Sequence, residues 1–444
     1  MILVRGGIKK YLPIRLYCNF LWFSITDFKW RWLIGKKIIA KMFGKLKNAK
    51  YFCKKLFAME SFKPIIGNAA RKDQFFPRPK IRKAILEALE LNQNILISSP
   101  RRVGKSSVLL NLVDEPDERY YAVYINTEGI DNGERFFQQV LAEIFNLDKL
   151  DEFGKFSKEA KLLFKIWGEK IASFKIAGTG LDLRQAEKIS YFGQLKQFLD
   201  EVKIADKQIV LLLDEFPVTL ENILKKDGKN AAAFFLNQNR ELRQNPSYQH
   251  KIRFIYTGSI GLLNVAKRLE ATDRVNDLAE VKVGPLKEAE AKHLVQLIYN
   301  FRLKREPKVE ETESILKIIG ILFPYYLQLL VKEIAELEEE GNTTDVVEKA
   351  FNNLVENGNS HLQHYKGRLS KIFEESEKQF VLKLLLKIKE TSGLHRNEIL
   401  NLAEGDGLRD GLEDILDTLF HDGYLAENQG RITFYSIILE NWWK

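Results

Sequence analysis

Two hydrophobic rhythms alternate along the chain. Short runs rich in apolar residues lie at Ile95-Leu96-Ile97, Tyr120 to Asn126, Ile209 to Leu213, Ile252 to Ser259 and Glu280 to Val283. Runs of this length without strict alternation predict strands buried on both faces. Between them, apolar residues recur at helical spacing over Arg82 to Leu89, Val108 to Leu112, Gly133 to Phe145 and Gly193 to Val202. A polar loop, Lys225-Lys226-Asp227-Gly228-Lys229, then precedes a further helix that ends near Arg243. Strand and helix in alternation predict an α/β domain on a parallel sheet.

The rhythm changes after Gly284-Pro285. Residues 286 to 340 read as helix throughout, broken near Gly320 and at Pro324, and the polar stretch Glu339 to Thr344 marks a boundary. Helices follow at His361 to Phe373, Lys378 to Ile388, Asn397 to Leu402 and Gly407 to Phe420, and then two short strands, Asp422 to Asn428 and Gln429 to Phe434. Helices closed by a hairpin predict a winged helix. Residues 147 to 190 form an insertion, with a charged helix at Phe156 to Ile171 and a hairpin or ordered loop at Phe174 to Gly180. The expected domains are 59–284 (core), 285–345 (helical lid) and 346–444 (linker and winged helix), preceded by 1–58.

Charge separates that first segment from the rest. Residues 1–58 hold 14 Lys and Arg against the single acid Asp27, a net of +13, whereas the other 386 residues carry 55 basic and 59 acidic groups, a net of −4. Both cysteines, Cys18 and Cys53, also lie in 1–58, so the body has no means to form a disulfide or thiolate metal site, and a reducing, cytoplasmic setting is expected. With Trp22, Trp30 and Trp32, the segment reads either as an interfacial anchor on anionic lipid or as an upstream extension with initiation at Met59. Its longest uncharged run, Leu16 to Thr26, falls far short of the ~20 apolar residues a spanning helix needs.

The chemistry sits where two strands end. Ile95-Leu96-Ile97 runs into Ser98-Ser99-Pro100-Arg101-Arg102-Val103-Gly104-Lys105-Ser106-Ser107, which meets the phosphate-loop pattern at Gly104, Lys105 and Ser106 and has Ser99 where that pattern places its first glycine. Such a loop turns backbone N–H groups toward phosphate oxygens, with a lysine on the β and γ phosphates and a hydroxyl on Mg²⁺. The second strand ends in Asp214-Glu215, which would hold hydrated Mg²⁺ and take a proton from an attacking water. A third strand ends at Thr257-Gly258-Ser259, where either hydroxyl could orient that water.

Ser99 to Ser107, Leu213 to Pro217, Tyr256 to Leu262 and Pro324-Tyr325-Tyr326-Leu327-Gln328 resemble the motifs of prokaryotic AAA+ ATPases of the STAND-related, archaeal type. Asp422 to Leu425, Arg431 to Phe434 and Trp442-Trp443 are similar to the winged-helix tail of the same group. The resemblance implies ATP and Mg²⁺ as cofactors and slow or partner-stimulated ATPase activity. It implies nucleotide contacts from the loop residues Ser99 to Ser107, from Pro324 at the lid and from Arg78 at the opening of the domain. Lys105 would meet phosphate, Ser106 and Asp214 Mg²⁺, Glu215 the water, and Thr257 or Ser259 would act as sensor. Leu322-Phe323-Pro324 stands where the group has Gly-x-Pro.

The expectation is an ATP-driven switch in which hydrolysis resets lid and winged helix against each other, acting on a protein partner. An ATP-regulated DNA-binding protein is the alternative, and a small-molecule kinase fits the long lid and winged helix less well. Self-association is a further expectation, with Arg268 and Arg274 as candidate finger arginines; membrane contact depends on residues 1–58. The helix Gly407 to Phe420 carries Asp410, Glu413, Asp414 and Asp417 against the lone base Arg409, and acids there oppose the counterion release that drives DNA binding. A chain lacking residues 1–58 should therefore bind duplex DNA no better than about micromolar at physiological salt. Fluorescence anisotropy checks this, and tight, salt-sensitive binding would favour the DNA reading.

Overall fold

Helix α1 (Pro79–Glu90) starts on a proline, whose missing N–H costs nothing in a first turn, and leads into β1 (Asn94–Ile97). The phosphate-loop segment then opens α2 (Lys105–Asp114), followed by β2 (Tyr120–Asn126) and α3 (Gly133–Phe145). A two-residue strand β3 (Gly154–Lys155), helix α4 (Tyr191–Glu201) and a short β4 (Lys203–Ile204) precede β5 (Gln208–Asp214). Then come α5 (Phe216–Asp227), α6 (Lys229–Gln244), β6 (Ile252–Thr257), α7 (Leu262–Arg268) and β7 (Leu278–Val281).

This computed structural model describes residues 62–145, 154–155, 190–204, 207–341, 344–356 and 359–444. The extension 1–58 and the pieces expected at 156–171 and 174–180 lie outside these residues. From Lys63 onward the chain forms one compact unit.

The five long strands make a parallel sheet in the order β2-β5-β6-β1-β7. Ile209 to Leu213 on β5 are all 2% exposed or less, as expected of a strand paired on both sides and covered on both faces. Burying each such side chain contributes about 2 kcal/mol. One face is filled by an aromatic cluster in which Phe136 meets Phe137, Phe216 and Phe235 edge-on at 5.0 to 5.7 Å. The register places Asn126 beside Asp214 and Ile97 beside Thr257, so the carboxyl ends of β1, β2, β5 and β6 converge.

Three helices occupy the segment expected as a lid, α8 (Glu288–Arg302), α9 (Val309–Ile319) and α10 (Pro324–Glu339); the break between α9 and α10 falls at Gly320 to Pro324 as the sequence predicts, whereas the break over 303–308 between α8 and α9 was not expected. Helix α11 (Val346–Leu354) packs along α10. The C-terminal domain comprises α12 (Ser360–Ile372), α13 (Glu375–Glu390), β8 (Leu394–His395), α14 (Arg396–Gly405), α15 (Leu412–Asp422), β9 (Leu425–Asn428), β10 (Arg431–Phe434) and α16 (Ile437–Trp442). Its sheet has three strands, β8-β10-β9, one more than the hairpin expected, because the chain after Gly393 pairs with β10. No helix among the described residues is long and apolar enough to cross a membrane.

Two other elements differ from expectation. The stretch after Glu215 is helical at once, because Pro217 sits in a first turn where its ring favours helix; Lys225 to Asp227 form the last turn of α5, and only Gly228 separates it from α6. Helix α15 begins at Leu412 and not at Gly407, since Gly407 takes a positive φ of 71°.

The C-terminal domain is locked by a buried ion pair. Asp422, 1% exposed, accepts a hydrogen bond from Arg368 Nε at 2.7 Å. Burial works to raise its pKa, but His421 and Arg368 together hold it below the usual carboxylate range. Removing one partner of such a pair strands the other, so Asp422→Ala should cost about 3 kcal/mol or more. Urea unfolding checks this; an unchanged midpoint would show the pair contributes nothing.

Candidate functional site

The phosphate loop folds around its own lysine. Arg102 (φ 66°) and Gly104 (φ 96°) take left-handed conformations that curl the backbone ahead of α2. Ser99 is not at positive φ, so the turn does not need glycine there. Its hydroxyl instead donates to the Ser98 carbonyl and accepts the Val283 N–H at 2.6 Å, tying the loop to the segment that leads to the lid. Lys105 Nζ donates to the carbonyls of Ser99 (2.7 Å) and Pro100 (2.8 Å). Burial, reinforced by Arg101, pushes this lysine down to about 8 despite the nearby Glu215, Asp422 and Asp214.

Opposite the loop stand the two carboxylates of β5. Asp214, 3% exposed, accepts hydrogen bonds from Tyr124 (2.8 Å) and from Ser106. Burial pushes its pKa up, and these hydrogen bonds work against that rise. Glu215 sits at φ 60°, a strained position for a non-glycine residue, and its Oε2 accepts from both the N–H (2.8 Å) and the hydroxyl (2.6 Å) of Ser259. Gly258 makes this approach possible, for a Cβ there would lie 2.6 Å from Pro217 Cδ.

One cleft of about 210 Å³ lies here, lined by Ile65, Gly67 to Ala70, Arg101, Arg102, Gly104, Lys105, Ser106, Glu215, Ser259, Pro324, Tyr325 and Gln328; Asp214 sits behind its wall, next to Glu215. That volume is below the ~300 Å³ at which small-molecule sites begin, so the cleft is contracted around its own side chains. A larger cavity of about 740 Å³ opens among Lys308, Glu338, Phe351 and Ile437, but no motif residue lines it.

Several residues singled out in the sequence are placed elsewhere. Thr257 is fully buried and donates to the Ile97 carbonyl at 3.3 Å, leaving Ser259 as the hydroxyl that meets Glu215. Arg78 donates to the Gly284 carbonyl at 2.5 Å, outside the cleft lining. The Ser107 hydroxyl accepts the Ala70 N–H at 2.9 Å, and Val103 is buried. Pro100 lies against the C-terminal domain, where a Cβ on Gly423 would be 3.0 Å from its own Cβ. Arg268 pairs with Glu221, and Arg274 with Asp273 at 3.3 Å.

Other contributors carried no motif. Tyr124 is one of three tyrosines on β2, and only the pairing with β5 shows that it is the one that reaches Asp214. The segment Ile65 to Ala70 is placed by two backbone donors, Ile65 N–H to Gln328 Oε1 (2.8 Å) and Ala70 N–H to Ser107. Its composition gives no signal of a binding role.

No family model matches the chain, and no curated protein matches it. Among solved structures, the Walker-type ATPase PABY2304 of Pyrococcus abyssi is similar, with a TM-score of 0.55 at 17% identity, covering 86% of this chain and 98% of that one. The Holliday junction branch migration motor RuvB of Thermotoga maritima gives a TM-score of 0.39 at 14% identity, covering 82% and 94%. ORC2 of Aeropyrum pernix gives 0.44 at 12%, covering 80% and 88%; these last two are too distant to argue from. With a five-stranded parallel sheet in the order β2-β5-β6-β1-β7 and the loop at the end of β1, the fold is that of the Walker-type ATPase.

A phosphate bound in the loop would return Lys105 toward its ordinary value, so binding takes up a proton above about pH 8. The sign is fixed: Mg-ADP affinity is flat below that pH and falls above it, by up to about tenfold per unit. Calorimetry in buffers of different ionisation enthalpy reads the proton directly, and no uptake near pH 9 would contradict it.

Proposed function

We propose that this chain binds Mg-ATP in the cleft, hydrolyses it, and uses the cycle to set its lid and C-terminal domain against the core for the benefit of a protein partner. The observation that carries the reading is convergence: Lys105 and Ser106 after β1, Glu215 after β5 and Ser259 after β6 line one cleft, with Asp214 at the end of β5 next to Glu215. Ligands bind beyond the carboxyl ends of strands in open parallel sheets, and these are the residue types phosphate chemistry uses there.

The residues present suit the ligands. Lys105 and the N–H groups at the start of α2 would hold phosphate, with the lysine exchanging the two loop carbonyls for phosphate oxygens. Ser106 and Asp214, already hydrogen-bonded to each other, would hold Mg²⁺, which takes few protein ligands and keeps the rest as water and phosphate oxygens. The ion supplies charge neutralisation on the phosphates. Glu215 accepts the proton of the attacking water, and Ser259 fixes the carboxylate for that task.

The output runs through the tyrosines of α10. Tyr326 and Tyr365 share a buried hydrogen bond of 2.8 Å, and Tyr325 donates to the His361 carbonyl at 3.1 Å. Lid and C-terminal domain are thereby tied together, so in this reading they move as one body over the core instead of resetting against each other. Asp414 and Asp417 on α15 lie 2.7 and 3.7 Å from Lys267 of the core, and Glu413 pairs with Arg396 at 2.8 Å. A helix whose acids are engaged by protein cations supports a protein-facing role and weighs against the DNA alternative.

Lys105→Ala should abolish nucleotide binding, while Glu215→Gln should leave it intact and stop turnover, because the lysine meets phosphate in the ground state and the glutamate acts on the water. Nucleotide titration and phosphate release under single-turnover conditions check the pair. Hydrolysis at the parent rate by Glu215→Gln would refute the assignment.

A further inference from the structure

The phosphate loop brings three cations to one cleft, and two of them have acceptors. Lys105 holds the carbonyls of Ser99 and Pro100. Arg102 lies over the Tyr325 ring, 4.5 Å from its centroid, and reaches His364 at 3.5 Å. Arg101 differs. It is half-buried and lines the cleft beside Glu215 and Ser259, and its guanidinium makes no hydrogen bond or ion pair among the described residues. Its surroundings are charged: Asp422 and Glu215 attract it, and Arg368 and Arg102 repel it. Asp422, however, is already bonded to Arg368 at 2.7 Å, and Glu215 to Ser259.

A guanidinium has five donors in a fixed fork that matches phosphate oxygens, and keeping it half-buried without an acceptor is costly. The candidates read from the sequence for a charge-stabilising arginine are occupied elsewhere, Arg268 by Glu221 and Arg274 by Asp273, and neither lines the cleft.

We infer that Arg101 is the catalytic arginine of this site, supplied by the chain's own phosphate loop to the γ-phosphate of ATP and not by a neighbouring subunit. The inference rests on the ATPase reading above. In the reaction, water forms a bond to the γ-phosphorus as the bond from that phosphorus to the β–γ bridging oxygen breaks. The water's proton passes to Glu215, the electron pair leaves with ADP, and inorganic phosphate is released. Negative charge grows on the bridging and γ oxygens during this exchange, and Arg101 offers N–H donors where that charge develops. Arg102, held by Tyr325 and His364, instead reads the lid.

The test uses the full chain and its Arg101→Ala and Arg101→Gln variants, the glutamine keeping bulk and polarity should alanine fail to fold. Under saturating Mg-ATP, single-turnover hydrolysis should drop about a hundredfold or more. Affinity for Mg-ADP should stay at the parent value, since ADP lacks the γ-phosphate. Trapping of ADP by aluminium fluoride with Mg²⁺, a readout independent of turnover, should be lost. The parent rate per subunit should not depend on protein concentration, and adding the Lys105→Ala chain to Arg101→Ala should restore nothing. Parent-like hydrolysis and trapping by both Arg101 variants would overturn the inference while leaving the ATPase reading intact. Restoration by the Lys105→Ala chain would show an arginine acting between subunits and overturn it too. A parent chain that binds no Mg-ATP and hydrolyses none would instead overturn the ATPase reading itself.

Discussion

Three cations within five residues, Arg101, Arg102 and Lys105, have to be accommodated at the mouth of one sheet, and much of the surrounding structure answers that requirement. Like charges at short range in a partly dry cleft repel strongly, so each must be given an acceptor or kept facing an incoming anion. Lys105 turns back on its own loop. Arg102 is met by an aromatic face and by His364, which burial and then Arg102 itself push down to about 3, so that the ring is a neutral acceptor and not a fourth cation. Arg101 lines the cleft, with no hydrogen bond or ion pair of its side chain among the described residues.

The same requirement couples parts of the chain that are remote in sequence. Ser99, at the position the usual motif gives to glycine, spends its hydroxyl on the Val283 N–H at the end of the sheet, while Arg78 holds the next carbonyl, that of Gly284. The segment between core and lid is thus gripped from both sides. On the far side of the loop, Gly423, at a φ of 79°, comes so close to Pro100 that a Cβ there would lie 3.0 Å from the proline's own. In the proposed cycle, a loop that moved on filling with phosphate would press on both the lid segment and the C-terminal domain. The Tyr326–Tyr365 hydrogen bond ties α10 to α12, and the Tyr424 hydroxyl donates to the Tyr365 carbonyl, so in the proposed cycle these buried contacts would resist sliding between the two.

How much of this could be read from the sequence follows from the range of each interaction. The strands of the sheet and the ends that carry Lys105, Asp214 and Glu215 were legible because apolar runs and motif spacing are local signals. The helix after Glu215 was missed because its charged, lysine-rich end looks like a loop, although Pro217 in its first turn marks a start. The choice between Thr257 and Ser259 was open, because it depends on strand register, which points Thr257 into the sheet and leaves Ser259 just beyond it. Nothing local announced Tyr124, the Ile65 to Ala70 segment or the contact of Gly423 with Pro100. These are long-range pairings that only the assembled fold creates.

The phosphate loop belongs at once to the candidate cleft and, through Pro100 against Gly423, to the C-terminal domain. Hydrogen exchange on the full chain, with and without saturating Mg-ATP, tests it most directly. Protection is expected to change together in two stretches far apart in sequence, the loop from Ser98 to Ser106 and the turn from Leu419 to Asn428. Saturable Mg-ATP binding that alters the loop but leaves the turn at Gly423 unchanged would contradict it.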